Sequence, residues 1–350
     1  MTDKTSQPAR RKIALALQGG GSHGAFTWGV LDRLLEEPSL EIIGITGTSA
    51  GAMNTVALAD GLLRGGPEEA RRRLRQFWTA IGAMPGFGSL LPPMSGEEAA
   101  KTNLKDTPMY MAWDMMTRNL SPYDLNPSKI NPLREPLNEL IDFDRLRNQD
   151  QMQVMVGATN ARTAARRVFA NKELSIDAVT ASACLPLMFP AVEIDGEPYW
   201  DGGYTGNPAM MELFRNLRKE DFDLIFVRID PIAHPDTPHT VREINDRITD
   251  VIFNSTLMLE LGFFAGVLRL VDKGVLDRER FGHIRFHGIE ASDMMEQMAG
   301  SKLNNSMALL EYLFDLGRKT ADEWWADHEE SIGQRSSVDL QKLLPTDYWS

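Results

Sequence analysis

A serine lies at the centre of a short motif flanked by glycines. The run GTSAG, residues 47–51, fits the pattern G-x-S-x-G, and it separates a predicted buried strand, Glu41–Thr46, from a predicted helix, Ala52–Leu63. In this context a sharp turn raises the serine to the carboxyl edge of a sheet, and the helix N-terminus stabilises developing negative charge. The motif is common by chance, but its position predicts that Ser49 is a nucleophile in acyl transfer.

A second glycine-rich turn precedes this motif. The run GGGSHG, residues 19–24, separates a predicted strand, Lys12–Leu17, from a predicted helix, Ala25–Glu37. Backbone N–H groups at a helix N-terminus have no partner within the helix, so such a turn can hold an anion. One candidate is a nucleotide phosphate, because the spacing fits G-x-G-x-x-G. That interpretation requires an acidic residue at the end of the second strand, whereas Glu41 lies at its start.

A nucleophilic serine requires a base. The chain has six histidines, and the late candidates His283 and His287 lie in the run GHIRFHG, which alternates like a strand rather than a loop. The alternative is Asp201, which the segment PYW delivers into an Asp-Gly-Gly turn. Such a turn is most often a plain surface turn, so the residues alone leave both kinds of base open.

The motifs GGGSHG, GTSAG and DGG, taken in this order, resemble those of the patatin-like phospholipases. The resemblance is strong over Lys12–Leu63 and Gln153–Pro208. It implies that Ser49 is the nucleophile and that Asp201 is the general base of a Ser–Asp dyad without histidine. It also implies an oxyanion hole made by the N–H groups of Gly19, Gly20 and Gly21. The glycines that support the three motifs are Gly24, Gly47, Gly51, Gly202 and Gly203.

One position departs from the family pattern. His23 stands where the family often carries arginine, and its charge would depend on pH near the unperturbed pKa of about 6.5. We favour the interpretation that His23 only packs against the loop or hydrogen-bonds to it. A carboxylate base also requires desolvation to raise its pKa, and the apolar side chains expected to supply it are Leu185, Leu187, Phe189 and Trp200.

The elements that position these motifs predict an α/β fold. Strands and helices alternate from residue 12 onward, which is typical of a mainly parallel central sheet with helices on both faces. This is the patatin-like three-layer arrangement, with a helical insertion and a helical C-terminal part. We expect a disordered tail over 1–11, a catalytic domain over 12–230 and a C-terminal extension over 231–350 packed on it. The insertion, at about 84–131, is rich in methionine and aromatic residues and is either a lid or a packed helical segment.

Composition excludes several classes of function. The 350 residues contain 37 Lys plus Arg and 49 Asp plus Glu, which gives a formal charge of −12. This balance disfavours nucleic acid and electrostatic docking on anionic lipid. The one cysteine, Cys184, excludes an internal disulfide, and we expect neither cofactor nor metal. No window reaches the roughly 18 apolar residues of a membrane span, and Leu257–Val271 is interpreted as a core helix. We expect a cytoplasmic protein with transient contact to a membrane or lipid droplet.

The function expected from these residues is hydrolysis of lipid acyl esters. One alternative uses the same dyad on hydroxyacid oligoesters or storage polyester. Two others belong to different classes: a nucleotide-binding regulator built on the Gly19–Gly24 turn, and a catalytically silent binding module. The presence of both Ser49 and Asp201 argues against the silent module.

Overall fold

A computed structural model describes residues 10–232, 237–277, 284–291, 295 and 298–343. The described residues form one eight-stranded sheet of order β5-β6-β3-β2-β1-β7-β8, with β4 paired to β3. The strands are β1 (Arg11–Leu17), β2 (Leu40–Gly47), β3 (Gln153–Asn160), β4 (Arg166–Ala170), β5 (Val192–Ile194), β6 (Glu197–Asp201), β7 (Phe222–Arg228) and β8 (Ile284–Glu290).

Helices cover both faces of this sheet. They are α1 (Gly24–Leu34), α2 (Ala50–Gly65), α3 (Pro67–Ala83), α4 (Gly96–Lys101), α5 (Pro108–Thr117), α6 (Pro122–Leu125), α7 (Arg134–Leu140), α8 (Phe143–Arg147), α9 (Ile176–Ser182), α10 (Met210–Leu217), α11 (Val241–Asp272), α12 (Met307–His328) and α13 (Leu340–Leu343).

The alternation of side chains along β1 explains the three layers. Ile13 and Leu15 point to one face and join a core with apolar residues of α1, α2, α3 and α12. Ala14 and Ala16 point to the other face and meet α10, α11 and α13. Because both faces are covered, the central parallel strands read as continuous apolar runs rather than alternating ones. The predicted three-layer α/β fold is therefore confirmed.

Strands β1, β2 and β3 are parallel neighbours, and β6 runs antiparallel to β3. Gly47, the last residue of β2, pairs with Leu17 of β1 and with Val156 of β3. On the far side of β3, Asp201 pairs with Ala158. The carboxyl ends of three parallel strands and the end of one antiparallel strand thus meet at one edge.

Three local predictions differ from the structure. The edge strands β4 and β5 were not expected, because neither short run has a strong apolar pattern. On α3, the run Arg71–Arg73 has the charged composition of a solvent-exposed helix face, yet Arg73 is buried and lies 3.6 Å from an oxygen of the buried Asp60. The long helix α11 was expected to be a core helix, yet only one side of it is buried.

The sequence was expected to contain no segment apolar enough to span a membrane, but helix α11 contains one by length and composition. Residues Glu243–Asp272 have a mean hydropathy of 1.7 in their best window, so by length and composition alone this helix could cross a bilayer. Core helices of soluble proteins pass the same test, and 44% of that window is buried inside the fold.

Helices α1 and α12 cross at a pair of glycines. A Cβ atom on Gly317 of α12 would lie 2.0 Å from the carbonyl oxygen of Phe26, and one on Gly29 of α1 would lie 2.0 Å from that of Phe314. The backbones approach this closely because neither glycine has a side chain. This contact holds the C-terminal helix against the helix that follows the first glycine turn.

We expect Gly317→Ala to lower the free energy of unfolding by about 2 kcal/mol, because the overpacking cost exceeds the gain in helix propensity. Urea denaturation measures the change. Gly65→Ala is the matched control, since the nearest atom to its added Cβ is the Cβ of Glu69 at 3.1 Å. Equal loss of stability in the two variants would contradict the close crossing of α1 and α12.

Candidate active site

Ser49 occupies a strained turn between β2 and α2. Its backbone has φ 55° and ψ −122°, outside the regions that residues with a side chain normally adopt. The turn packs directly on the first glycine turn, because a Cβ on Gly19 would lie 2.6 Å from the Cβ of Ser49. Ser49 remains partly exposed while the neighbouring Thr48 is fully buried. This geometry presents the serine side chain at the carboxyl edge of the sheet.

The turn is held by hydroxyl groups on neighbouring elements. The N–H of Ser49 donates to Oγ of Ser182 at the end of α9, at 2.9 Å. The hydroxyl of Thr48 donates to the carbonyl of Gly206 at 2.8 Å. These contacts could not be predicted from local sequence, because each joins segments more than a hundred residues apart.

Asp201 ends β6 with its side chain fully buried. Its N–H donates to the carbonyl of Cys184, and its Oδ1 accepts the N–H of Gly203, both at 2.8 Å. Oδ2 is buried and, among the residues that the structure describes, has no partner of normal hydrogen-bond geometry. Burial raises the pKa of this carboxyl to about 7, against the opposing effects of the Gly203 N–H and of a contact with the Ser49 hydroxyl. The structure thus brings the Ser49 side chain to a carboxyl group whose pKa lies near neutrality.

The expected source of this desolvation is only partly correct. Leu187 was expected to shield the carboxyl, but 71% of it is exposed, and Leu185, Phe189 and Trp200 are only partly buried. Instead, Phe253 of α11 closes the site from behind, because it packs against Gly203 and lies edge-on to Tyr204. A residue about fifty positions later in the chain thus packs against the turn that carries Asp201.

The glycine turn is positioned by two buried amide side chains. The N–H of Gly19 donates to Oδ1 of Asn207 at 2.7 Å, and Nδ2 of Asn207 donates back to the Gly19 carbonyl at 3.3 Å. Gln18 accepts the N–H groups of Ile229 and Asp230 at the end of β7. Within the described residues, the N–H groups of Gly20 and Gly21 donate to no other group.

Of the three amides expected to form an oxyanion hole, that of Gly19 is therefore already engaged. Gly21 has φ 62°, and a Cβ there would lie 2.3 Å from the carbonyl oxygen of Lys302. Only glycine accommodates both constraints. The motifs in the sequence did not predict the role of Asn207 in holding the glycine turn. Its position, six residues after Asp201 and directly before Pro208, was the feature that could have indicated it.

His23 is fully buried, and its Nε2 lies 2.9 Å from Oγ of Ser301. The Ser301 hydroxyl donates to the carbonyl of Met298, so it accepts from His23 and the ring carries its proton on Nε2. Burial and the nearby charge of Lys302 lower the pKa of His23 to about 3. The pKa of His23 thus lies well below the expected 6.5, and its ring hydrogen-bonds to Ser301, 278 residues along the chain, rather than to the glycine loop.

The alternative histidine base finds no support in the geometry. His287 lies on β8, three strands from β2 and hence about 14 Å away across the sheet. Its two ring nitrogens contact Asp223 at 2.7 Å and Ser337 at 2.9 Å, where they join β7 and β8 to the C-terminal segment. His283 lies outside the described residues.

Comparison with known proteins assigns the family. The family model described as patatin-like phospholipase matches residues 15–214, which include all three motifs. The chain belongs to the patatin-like phospholipase family. Membership supports a hydrolase that acts on lipid acyl esters in general. The resemblance inferred from the motifs is thereby confirmed.

Two further comparisons complete this result. Among solved structures, the crystal structure of VipD from Legionella pneumophila is similar, with a TM-score of 0.38 and 16% sequence identity over 91% of this chain and 68% of that one. No curated protein matches the chain.

The buried carboxyl predicts an unusual dependence of stability on pH. The pKa of Asp201 is about 7 in the folded chain, above its ordinary value of 3.8. Between these values the unfolded chain is ionised and the folded chain is not, so the free energy of unfolding falls as the pH rises toward 7. The Asp201→Asn variant has no such carboxyl group, so its free energy of unfolding does not fall in this way. We expect the difference in the free energy of unfolding, variant minus parent chain, to increase by about 2 kcal/mol from pH 5 to pH 7.

Asp223→Asn is the matched control for this measurement by chemical denaturation. Although burial opposes it, hydrogen bonds from His287 and Arg285 lower the pKa of Asp223. The loss of this carboxylate should therefore cost more stability at neutral pH than in acid, the opposite trend. A difference between Asp201→Asn and the parent chain that does not change with pH would contradict the raised pKa.

Proposed function

We propose that the chain is a serine carboxylic-ester hydrolase that cleaves lipid esters through a dyad of Ser49 and Asp201. The observation that carries the proposal is the contact of a strained, partly exposed serine with a buried carboxyl group, one oxygen of which has no hydrogen-bond partner of normal geometry in the described part of the chain. Strained backbone at a nucleophile and a desolvated carboxylate are costly features that a purely structural turn does not need.

In this mechanism Oγ of Ser49 attacks the ester carbonyl carbon, and the ionised Asp201 accepts the proton of the Ser49 hydroxyl. The carbonyl oxygen becomes an oxyanion, and we assign its stabilisation to the N–H groups of Gly20 and Gly21, which donate to no other group among the described residues. The tetrahedral intermediate expels the alcohol, which takes the proton from Asp201. Water then attacks the acyl-enzyme with Asp201 again as base, and Ser49 is regenerated with release of the fatty acid.

A base is most effective when its pKa lies near the working pH. With a pKa of about 7, Asp201 is about half ionised at neutral pH and accepts a proton more readily than an exposed aspartate would. The carboxylate can therefore do the work that histidine does in a triad. The pKa of His23, about 3, leaves that ring neutral and limits it to orienting the glycine turn.

The substrate class follows from the family, and its details belong to the proposal. The insertion supports the hypothesis that the substrates are esters of longer acyl chains. Its helix α5 has no buried residue and exposes Met111, Met115 and Met116. Methionine side chains form adaptable apolar surfaces. Whether the insertion acts as a lid, and whether the protein is cytoplasmic, stay predictions. A panel of nitrophenyl esters of increasing chain length, with phospholipid and hydroxybutyrate oligomers, separates lipid from polyester hydrolysis.

We expect Ser49→Ala to abolish covalent labelling by a fluorophosphonate and ester turnover, because no oxygen nucleophile replaces the hydroxyl. Asp201→Asn should retain the fold and lower kcat by about a thousandfold or more. Ser255→Ala on the exposed face of α11 is the control and should label fully. Retained labelling of Ser49→Ala would refute the assignment of the nucleophile.

Asn207 is a positioning residue for the glycine turn. Asn207→Ala removes both hydrogen bonds to Gly19, so we expect the rate of fluorophosphonate inactivation to fall about 10- to 100-fold, since small displacements of donors weaken catalysis strongly. Asn216 is an exposed asparagine of α10, and Asn216→Ala is the control variant.

Thermal denaturation of each variant separates a slower reaction from a lost fold. If Asn207→Ala does not fold, Asn207→Asp retains an acceptor for Gly19 and should still react slowly, because it adds negative charge beside the oxyanion. Unchanged inactivation in a folded Asn207 variant would contradict the positioning role.

A further inference from the structure

The outer side of α11 carries a continuous apolar stripe. Six large apolar side chains on this helix are between 41% and 61% exposed and recur every three or four residues, apart from positions filled by Ser255 and Gly266. They are Ile244, Ile248, Val251, Leu259, Phe263 and Leu270. Single exposed apolar residues are ordinary, but a line of them on one helix face marks an interaction surface. We call this surface the α11 stripe.

The central part of the α11 stripe carries no charge. Between Asp250 and Arg269 the only ionisable side chain is Glu260. Glu260 is 2% exposed and faces inward, where it accepts the N–H groups of Met210 and Met211 and pairs with Arg166. The uncharged outer face therefore extends over 18 residues, or about 27 Å of helix.

The opposite side of α11 is built into the fold. Leu257, Leu261 and Phe264 lie in the core against the sheet, and Asn254 donates to the carbonyl of Pro231. A helix that keeps this inner face in place cannot be surrounded by lipid, so crossing a membrane is incompatible with the structure. Its geometry instead suits a helix that lies in the plane of a lipid surface with one face immersed.

The dimensions of the α11 stripe disfavour a second protein copy as its occupant. A face about 27 Å long and about 10 Å wide offers about 270 Å², which is far below the roughly 800 Å² per partner of a stable interface. Two copies would also bring together chains that each have a formal charge of −12. A lipid surface needs no shape complementarity and has no such minimum area.

Charge also selects the kind of lipid. A protein with a formal charge of −12 is repelled by an anionic leaflet, and the α11 stripe has no basic residue along its centre to offset this. Apolar contact with an electrically neutral surface remains favourable. The expected surface is therefore zwitterionic phospholipid rather than anionic phospholipid.

The α11 stripe lies on the outside of the candidate active site. Phe253, two residues from Val251, packs against the Gly203 backbone next to Asp201. Asn254 accepts a hydrogen bond from Nε2 of Gln18, the residue before the glycine turn, at 3.3 Å. On its inner side, this part of α11 contacts the turn that carries Asp201 and the residue that precedes the glycine turn. Its outer side carries the α11 stripe.

We propose that the α11 stripe docks this protein on a zwitterionic phospholipid surface, so that the active site opens beside the phase that holds its substrate. The consequence for catalysis rests on the proposed function, whereas the docking itself does not. Docking leaves α11 in place and immerses only its outer side chains.

The test measures binding of the full-length Ser49→Ala chain to phosphatidylcholine vesicles by co-sedimentation, so that hydrolysis cannot interfere. Val251→Glu with Leu259→Glu should weaken binding at least about tenfold, equivalent to about 1.4 kcal/mol. Leu259→Lys should also weaken binding, because a charge of either sign opposes immersion in a neutral surface. Ile130→Glu, an equally exposed apolar position off α11, is the matched control and should bind like the parent chain.

Turnover of a short soluble ester, measured with Ser49 intact, should be unchanged in the α11 variants. Adding phosphatidylglycerol to the vesicles should weaken binding. The proposal is overturned if the parent chain does not bind phosphatidylcholine, if the α11 variants bind like it, or if anionic lipid strengthens binding. It is also overturned if light scattering shows a dimer that Leu259→Glu dissociates. If the parent chain with Ser49 intact does not hydrolyse the soluble ester, the proposed function is refuted, whereas the result of the binding measurement is unaffected.

Discussion

The carboxyl group of Asp201 lies where water cannot stabilise its charge, and the rest of the proposed chemistry depends on this constraint. Ionised carboxylates normally stay exposed or paired because burial is costly. Here the side chain is fully buried, one oxygen accepts a backbone N–H, and the other has no partner of normal hydrogen-bond geometry among the described residues, while the Ser49 hydroxyl contacts the carboxyl group. The raised pKa is the physical means by which a carboxylate could serve as the base at neutral pH.

Several distant segments are needed to create that environment. The sheet order brings β6, β3, β2 and β1 side by side, so the aspartate, the serine turn and the glycine turn meet at one edge. Asn207 then holds the glycine turn, and Phe253 shields the Asp-Gly-Gly turn. Helix α11 belongs to the part of the chain beyond residues 15–214, the region that the family model matches. The C-terminal part therefore contributes to the site as well as to the core.

The sequence predicted the features that depend on local pattern. Buried parallel strands, the serine turn and its glycines follow from apolar runs and from backbone requirements that only glycine meets. Features that depend on contacts between distant residues could not be predicted. The hydrogen bond between Gly19 and Asn207 spans 188 residues, and the burial of Arg73 depends on Asp60 across two helices. The exposure of Leu187 and the two unlike sides of α11 likewise depend on which neighbours fold against them.

In the proposed mechanism Asp201, with a pKa raised by burial, activates Ser49. The most direct measurement is the pH dependence of the rate at which a neutral fluorophosphonate modifies Ser49, from about pH 5 to about pH 9. We expect a rate that rises through a single ionisation with a pKa of about 7 and an Asp201→Asn variant that is slow and lacks this ionisation. A rate that does not change with pH, or an ionisation that persists in Asp201→Asn, would rule out Asp201 as the base.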